Sequence, residues 1–143
     1  MDSGSTPSLL LVESSCSLSL IGDDLAGIVR KMELPYPFIT MDCGGLVGGF
    51  AEGYTKAAIS VVDKFSHKDL AVQANSVNVL GLSDFYYNGT ADRKEICRLL
   101  KMVGYKINAI PGSGSSLEDL GKLGAAGLNI VCNEELGLKL AKK

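Results

Sequence analysis

The apolar residues of this chain fall into short continuous runs, and longer stretches with helical spacing lie between those runs. Runs of strand length occur at Leu9 to Val12, Phe38 to Met41, Val77 to Leu82, Tyr105 to Ile110 and Leu128 to Cys132. In the stretches between them, apolar residues recur every three or four positions, which is typical of helices that bury one face. Helices are predicted at Leu20 to Met32, Ala91 to Val103, Ser116 to Lys122 and Glu134 to Lys142, and a further helix after the loop Asp42 to Gly49 carries Tyr54, Ala58, Val61 and Val62 on one face.

The strand runs are apolar throughout rather than alternating, which is typical of strands that are covered on both faces. Their alternation with helices predicts a Rossmann-like, doubly wound α/β fold, in which a mainly parallel sheet of about five strands carries helices on both faces. We expect a single domain over residues 8–143 after a flexible start or vector remnant at 1–7. The polar stretch from Lys64 to Ser76 predicts a surface excursion between two halves.

Composition narrows the classes of function. The chain has 143 residues and a formal net charge of -2, so it offers no broad cationic field for nucleic acid. Its apolar runs are shorter than the roughly 20 residues that cross a bilayer, and its start lacks the order of a signal peptide, which predicts a cytoplasmic protein without a membrane partner. The cysteines are too sparse for a disulfide framework, which predicts reduced thiols or metal ligands.

Three of the four cysteines fall at the carboxyl ends of predicted strands, at the sheet edge where ligands of such folds collect. These are Cys16, Cys43 and Cys132, whereas Cys97 falls inside a predicted helix and is expected to be structural. Cys16 stands among small polar residues just before a helix, which makes it the strongest candidate ligand, although an inert loop thiol explains the same letters. Because no C-x-x-C pair occurs, a complete four-thiolate site within the chain is not predicted.

A glycine-rich loop follows the second strand, and Gly44, Gly45 and Gly48 are its candidate cofactor contacts. The loop matches neither the dinucleotide fingerprint nor the P-loop, and a tight turn that lets helix and strand pack is an equal alternative. In the second glycine-rich loop, from Gly112 to Ser116, a capping box is favoured over a phosphate site; it pairs Ser116 with Asp119, or Ser115 with Glu118.

Other polar residues offer little catalytic chemistry. Asp23 and Asp24 are typical of the first turn of a helix, where the helix dipole favours acidic residues. This role is favoured over acid–base catalysis or binding of a hard metal ion. His67 is the only histidine and lies in the polar excursion, which argues against a hydrolase that uses a histidine base.

The segment Cys16-Ser-Leu-Ser-Leu-Ile-Gly-Asp-Asp-Leu25 resembles the signature of nitrogenase component 1 type proteins, in which a cysteine precedes Ile-Gly-Asp-Asp at the head of a helix. Similar segments follow in order: Pro37 to Thr40, Gly45 to Gly48, Val77 to Gly81, Asn88 to Asp92, and Leu128 to Val131. The resemblance covers nearly all of residues 8–143. The family comprises nitrogenase subunits, cofactor-maturation scaffolds, dark-operative protochlorophyllide reductase and reductases of nickel tetrapyrroles.

The resemblance implies an internal domain of an oxidoreductase subunit that receives electrons from an ATP-dependent iron protein. It implies that Cys16 is a ligand of an iron–sulfur cluster at the interface with a homologous subunit, and that Cys43 is a weaker candidate. It also implies that the loop with Gly44, Gly45 and Gly48 shapes a cavity for a second metal cluster or a tetrapyrrole substrate. The alternatives are a non-catalytic scaffold for maturation of a metal cluster or tetrapyrrole, and an α/β binding module whose cysteines are all structural.

The chain departs from the family pattern in two respects. The family's amino-terminal cluster cysteines and its later cofactor-binding domains have no counterpart in these residues. Ala51 and Thr55 stand where the dinitrogen-reducing alpha subunit has a Gln and a His beside its cofactor, so nitrogen fixation is not expected. A homodimer of the fragment, formed through a surface that the missing segments normally cover, is a further expectation.

Overall fold

Among the residues that the structure describes, five strands pair in parallel and are divided between two sheets. The structure is a computed structural model that describes residues 6–45, 48–67 and 69–143. Two compact units are distinguished, Met1–Gly53 and Tyr54–Lys143. The predicted single domain over 8–143 stays a prediction, and most of the predicted flexible start at 1–7 lies outside the described residues.

In the first unit, β1 (Leu10–Ser14) pairs in parallel with β2 (Phe38–Asp42), and Ser14 stands opposite Asp42 in the register. The connection between the two strands contains α1 (Cys16–Ile21) and α2 (Leu25–Lys31).

The predicted single helix from Leu20 to Met32 is therefore wrong. Gly22 adopts a left-handed conformation with a φ of 76° and ends α1, because glycine meets no Cβ penalty there. Asp24 then starts α2, since its side chain accepts a hydrogen bond of 2.8 Å from the Gly27 amide.

The helix α3 (Phe50–Phe65) leads into the second unit, where β3 (Gln73–Leu80) is the central strand. The strands β4 (Lys106–Ala109) and β5 (Ala126–Val131) pair with β3 in parallel, one on each side, in the order β4-β3-β5. The helices of this unit are α4 (Gly89–Met102), α5 (Leu117–Gly121) and α6 (Glu134–Ala141), and a short 3-10 turn occupies Leu123–Ala125.

Both faces of the three-stranded sheet are covered. On one face, Val77, Val79 and Leu82 form a buried cluster with Ile110, and the α4 residues Ile96, Cys97 and Leu100 pack against it. On the other face, Leu80 packs with Val62 of α3 and Leu140 of α6. The α/β class, the parallel strands and the helices on both faces are confirmed. The strands are divided into sheets of two and three instead of forming one sheet.

The polar excursion predicted from Lys64 to Ser76 is shorter in the structure, because α3 continues through Phe65 and β3 begins at Gln73. Ser76 is buried, and its hydroxyl donates a hydrogen bond of 2.8 Å to the Gln73 carbonyl. A polar residue can occupy a buried strand position when its hydrogen bonds are made internally, and the hydropathy pattern does not show this. Among the described residues, no helix has the length and apolar character needed to cross a membrane.

A ladder of asparagine side chains crosses the three-stranded sheet. Asn78 of β3 is 2% exposed and donates to the side-chain oxygen of Asn129 at 2.8 Å and to the Leu123 carbonyl at 2.9 Å. Its own side-chain oxygen accepts a hydrogen bond of 2.7 Å from Asn108, which also donates to the Lys122 carbonyl at 3.0 Å. The buried amide therefore links all three strands of this sheet.

Candidate functional site

The strand-end loops of the first unit meet at the sulfur of Cys16. Cys16 follows β1 after one intervening residue and is the first residue of α1, where its thiol is exposed. The backbone amide of Gly45, in the loop after β2, donates a hydrogen bond of 3.1 Å to the Cys16 Sγ. Hydrogen bonds of this kind surround the sulfurs of iron–sulfur clusters and influence their reduction potentials. Cys16 and the glycine-rich loop, which were predicted separately, are in contact.

Asp42, at the end of β2, holds the same two loops together, although sequence reasoning did not single it out. Its Oδ1 accepts hydrogen bonds from the Ser14 hydroxyl at 2.9 Å, from the Ser19 hydroxyl and from the Gly44 amide at 3.1 Å. The two serines lie on either side of Cys16 in the chain. The sequence offered one clue to this network, namely an acidic residue at a strand end next to a glycine-rich loop.

The glycines of the loop after β2 differ in how closely they approach their neighbours. A Cβ on Gly44 would lie 2.8 Å from the Ser19 Oγ, whereas one on Gly45 would lie 3.7 Å from the Cys16 Sγ. A Cβ on Gly48 would lie 2.8 Å from the Cβ of Glu52. Packing therefore favours glycine at positions 44 and 48. The predicted cofactor cavity at Gly44, Gly45 and Gly48 stays a prediction. Leu46 and Val47 lie outside the described residues.

The contrast between Gly44 and Gly45 can be tested. We expect Gly44→Ala to lower the free energy of unfolding by about 1 kcal/mol, because the new methyl group displaces the Ser19 hydroxyl from Asp42. Gly45→Ala is the matched control, since its methyl group meets only ordinary van der Waals contact. Urea unfolding curves of the two variants measure the difference. Equal loss of stability in both variants would contradict the packing role of Gly44.

The other cysteines occupy three different environments. Cys43 is exposed directly after β2, and Cys97 is half-buried on α4. Cys132 keeps substantial exposure, yet partial burial of its thiol, and to a smaller extent the nearby Cys97, raise the pKa of Cys132. In the described ranges, no group of three or more His, Cys, Asp or Glu side chains is placed to hold a metal ion.

The carboxyl edge of the three-stranded sheet is a second polar site. Asp84 accepts hydrogen bonds from Ser113 at 2.7 Å and Thr90 at 3.3 Å, and it lies 3.6 Å from the Arg93 guanidinium. The Ser113 bond, with a smaller contribution from Arg93, lowers the pKa of Asp84. Tyr54 shares its hydroxyl proton between two backbone carbonyls, and burial, followed by the charge of Asp84, raises the pKa of Tyr54 to about 12. The hydrogen bonds of Asp84 and Tyr54 therefore link the loop after β3 to the loop after β4.

The serine hydroxyls of the loop from Gly112 to Ser116 form hydrogen bonds within the chain. Ser115 accepts a hydrogen bond of 2.7 Å from the Ile110 amide. Ser116 and Asp119 form the predicted capping box at the start of α5, which is confirmed. A phosphate site in this loop gains no support from these contacts.

The remaining candidates of the sequence have structural roles or lie on the surface. Asp24 caps α2, as described above, and His67 is exposed, with its backbone amide donating to the Gly121 carbonyl at 2.9 Å. Thr55 is buried and donates its hydroxyl proton to the Glu135 carbonyl at 3.1 Å.

Comparison with known proteins decides the family. The model of the nitrogenase component 1 type oxidoreductases matches residues 1–143, which is the full length of the chain. The chain belongs to this family. Its similarity to the nitrogenase component 1 type oxidoreductases extends through both units, from the Cys16 loop to α6.

Similar curated members of the nitrogenase component 1 type family are subunits B of light-independent protochlorophyllide reductase. The subunit from Methylobacterium sp. (strain 4-46) is 29% identical over 139 residues, which cover 95% of this chain and 28% of that protein. The subunit from Chloroherpeton thalassium is 30% identical over 135 residues, covering 92% of this chain and 24% of that protein. The chain therefore spans about a quarter of the length of these relatives.

Among solved structures, nitrogenase Cp1 at pH 5 superposes with a TM-score of 0.78 and 27% sequence identity. The match covers 95% of this chain and 28% of that nitrogenase chain. The α/β fold described above is thus the fold of part of a nitrogenase component 1 subunit.

Proposed function

We propose that this chain is a domain of a nitrogenase-like oxidoreductase subunit, in which Cys16 contributes one thiolate to an interfacial iron–sulfur cluster that passes electrons to a bound substrate. The observation that carries the proposal is the hydrogen bond of 3.1 Å from the Gly45 amide to the Cys16 Sγ. An exposed thiol that accepts a backbone amide bond has the environment of a cluster ligand. Family membership supports the same role.

The donor set fits a shared cluster better than a complete one. Cys16 is a single soft ligand, and such clusters need about four thiolates. Leu20 and Ile21, on the same short helix, are 71% and 72% exposed. Apolar side chains exposed beside a candidate ligand are typical of a surface that another chain covers. We infer that a homologous subunit covers this surface and supplies the remaining thiolates.

The bound cluster would supply one-electron transfer, and the chain's own residues would hold and shield it. Cys16 would bind iron through its sulfur, while the Gly45 amide would stabilise charge on that sulfur. Leu20 and Ile21 would exclude water once the partner is in place. An ATP-dependent iron protein would be the electron donor. We expect the complex to act in the cytoplasm. Because similar relatives are protochlorophyllide reductase subunits, we favour a tetrapyrrole over a second metal cluster as the bound electron acceptor.

The proposal predicts that bound iron depends on Cys16. We expect the chain, reconstituted without oxygen with iron, sulfide and a homologous partner subunit, to bind iron and give a low-temperature EPR signal that Cys16→Ala abolishes. Cys132→Ala is the matched control, because it removes another exposed thiol that lies outside the proposed site. Iron retained in Cys16→Ala would contradict the proposal. If the wild-type chain binds no iron with that partner, the same comparison is made in the full-length subunit with its homologous partner.

A further inference from the structure

The carboxylate of Asp42 accepts hydrogen bonds from residues on both sides of Cys16. Ser14 precedes the cysteine by two residues and Ser19 follows it by three, and both hydroxyls donate to the Asp42 Oδ1. The same oxygen accepts a bond of 3.1 Å from the Gly44 amide. Bonds to an ionised acceptor are stronger than neutral ones, so three donors on one oxygen make Asp42 the centre of this network.

The amide that follows Gly44 is the one that reaches the thiol. Gly45 N donates to the Cys16 Sγ at 3.1 Å, and it is the next amide along the chain after the Gly44 amide that Asp42 binds. The close approach of Gly44 to Ser19, where a Cβ would lie 2.8 Å from the hydroxyl oxygen, tightens the same turn. Asp42 thus acts on the sulfur through its neighbour without needing to touch it.

We propose that Asp42 is a positioning residue, which holds the Gly45 amide against the Cys16 sulfur and thereby raises the reduction potential of the group that this sulfur binds. The inference rests on the proposed function, because it takes Cys16 as a cluster ligand. A hydrogen bond to a cluster sulfur stabilises the more negative, reduced state. Loss of the bond makes reduction harder and shifts the midpoint potential to more negative values.

Two variants separate position from charge. Asp42→Ala removes both the acceptor and the negative charge, and loss of the charge alone raises the potential. Asp42→Asn also removes the charge but keeps a side-chain oxygen for the Gly44 amide and the serine hydroxyls. The difference between the two variants therefore reports the positioning effect.

In the metal-free chain, NMR-detected hydrogen exchange of the Gly44 and Gly45 amides tests directly whether Asp42 positions them. We expect both amides to exchange about tenfold faster in Asp42→Ala, and at close to the wild-type rate in Asp42→Asn. Cys16→Ala should release the Gly45 amide and leave the Gly44 amide protected. An unchanged Gly45 exchange rate in Asp42→Ala would overturn the inference.

In the iron-loaded protein, an EPR-monitored redox titration compares the same variants. We expect a more negative midpoint potential for Asp42→Ala than for Asp42→Asn, with Asp63→Ala, which removes a surface carboxylate of the second unit, at the wild-type value. Equal potentials in the two Asp42 variants would refute the tuning role while leaving Cys16 as a ligand. If the wild-type protein holds no cluster even with its homologous subunit, the proposed function and the tuning role both fail. Hydrogen exchange still decides whether Asp42 positions the Gly45 amide.

Discussion

Replacing Gly89 by alanine should lower the free energy of unfolding of the second unit by about 3 kcal/mol. Gly89 is the buried first residue of α4, and a Cβ there would lie 2.1 Å from the carbonyl oxygen of Ser83. The next atoms, in the backbone of Ser83 and Asp84, would be 3.0 and 3.1 Å away. Because all three atoms belong to the main chain, no side-chain rotation relieves the clash. Either the start of α4 or the loop between β3 and α4 therefore has to move.

Gly53→Ala is the matched control for this substitution. Gly53 also lies in a helix, α3, but a Cβ there would meet no atom within 4 Å. Alanine is favoured over glycine in a helix by ~0.5–1 kcal/mol, so Gly53→Ala should stabilise the protein slightly. Urea unfolding followed by circular dichroism measures both effects. Opposite shifts of the midpoint are expected, and a Gly89→Ala midpoint at or above that of the wild type would show that the contact with Ser83 is not required.

The segment around Gly89 shows what the sequence pattern predicts and what only the folded structure reveals. The apolar pattern predicted α4 to within two residues at its start and one at its end. It could not predict why glycine is needed at position 89, because the clashing carbonyl of Ser83 belongs to a loop that packs there only in the folded chain. Close approaches of main chain to main chain leave no hydrophobic pattern.

The break at Gly22 was missed for a different reason. Apolar residues continue with helical spacing from Leu20 to Met32, so the pattern favoured one helix. Gly22 and Asp24 contain the local chemistry of a helix stop and a new start, and this chemistry outweighed the spacing.

The candidate site was predictable in part. Cys16 and the glycine-rich loop were recognised because strand ends in parallel sheets gather ligands and because the motif around Cys16 resembles a family signature. Their contact through the Gly45 amide, and the network of Asp42, depend on the register that sets Ser14 opposite Asp42. Register is a property of the paired strands, which a single strand's sequence does not specify.

The asparagine ladder leads to the other large expected effect. We expect Asn78→Ala to lower the free energy of unfolding by about 3 kcal/mol, because it leaves three groups of the ladder without a partner. These groups are the Leu123 carbonyl, the side-chain oxygen of Asn129 and one amide donor of Asn108. At 2% exposure, the position of Asn78 gives water little access to replace the lost bonds. The free energy of unfolding is measured from urea titrations.

Asn129→Ala is the control, since it removes the exposed end of the same ladder. The donor that this change releases belongs to the buried Asn78, but Asn129 and Asn78 line one surface cavity. Removing the exposed Asn129 side chain lets water reach that donor, so we expect a loss below about 1 kcal/mol. A double variant distinguishes a ladder from independent bonds: because Asn78→Ala already breaks the bond to Asn129, adding Asn129→Ala should cost almost nothing more. Additive losses would mean that the two amides act separately, and a small effect of Asn78→Ala alone would mean that apolar packing, rather than the ladder, holds β4 and β5 on β3.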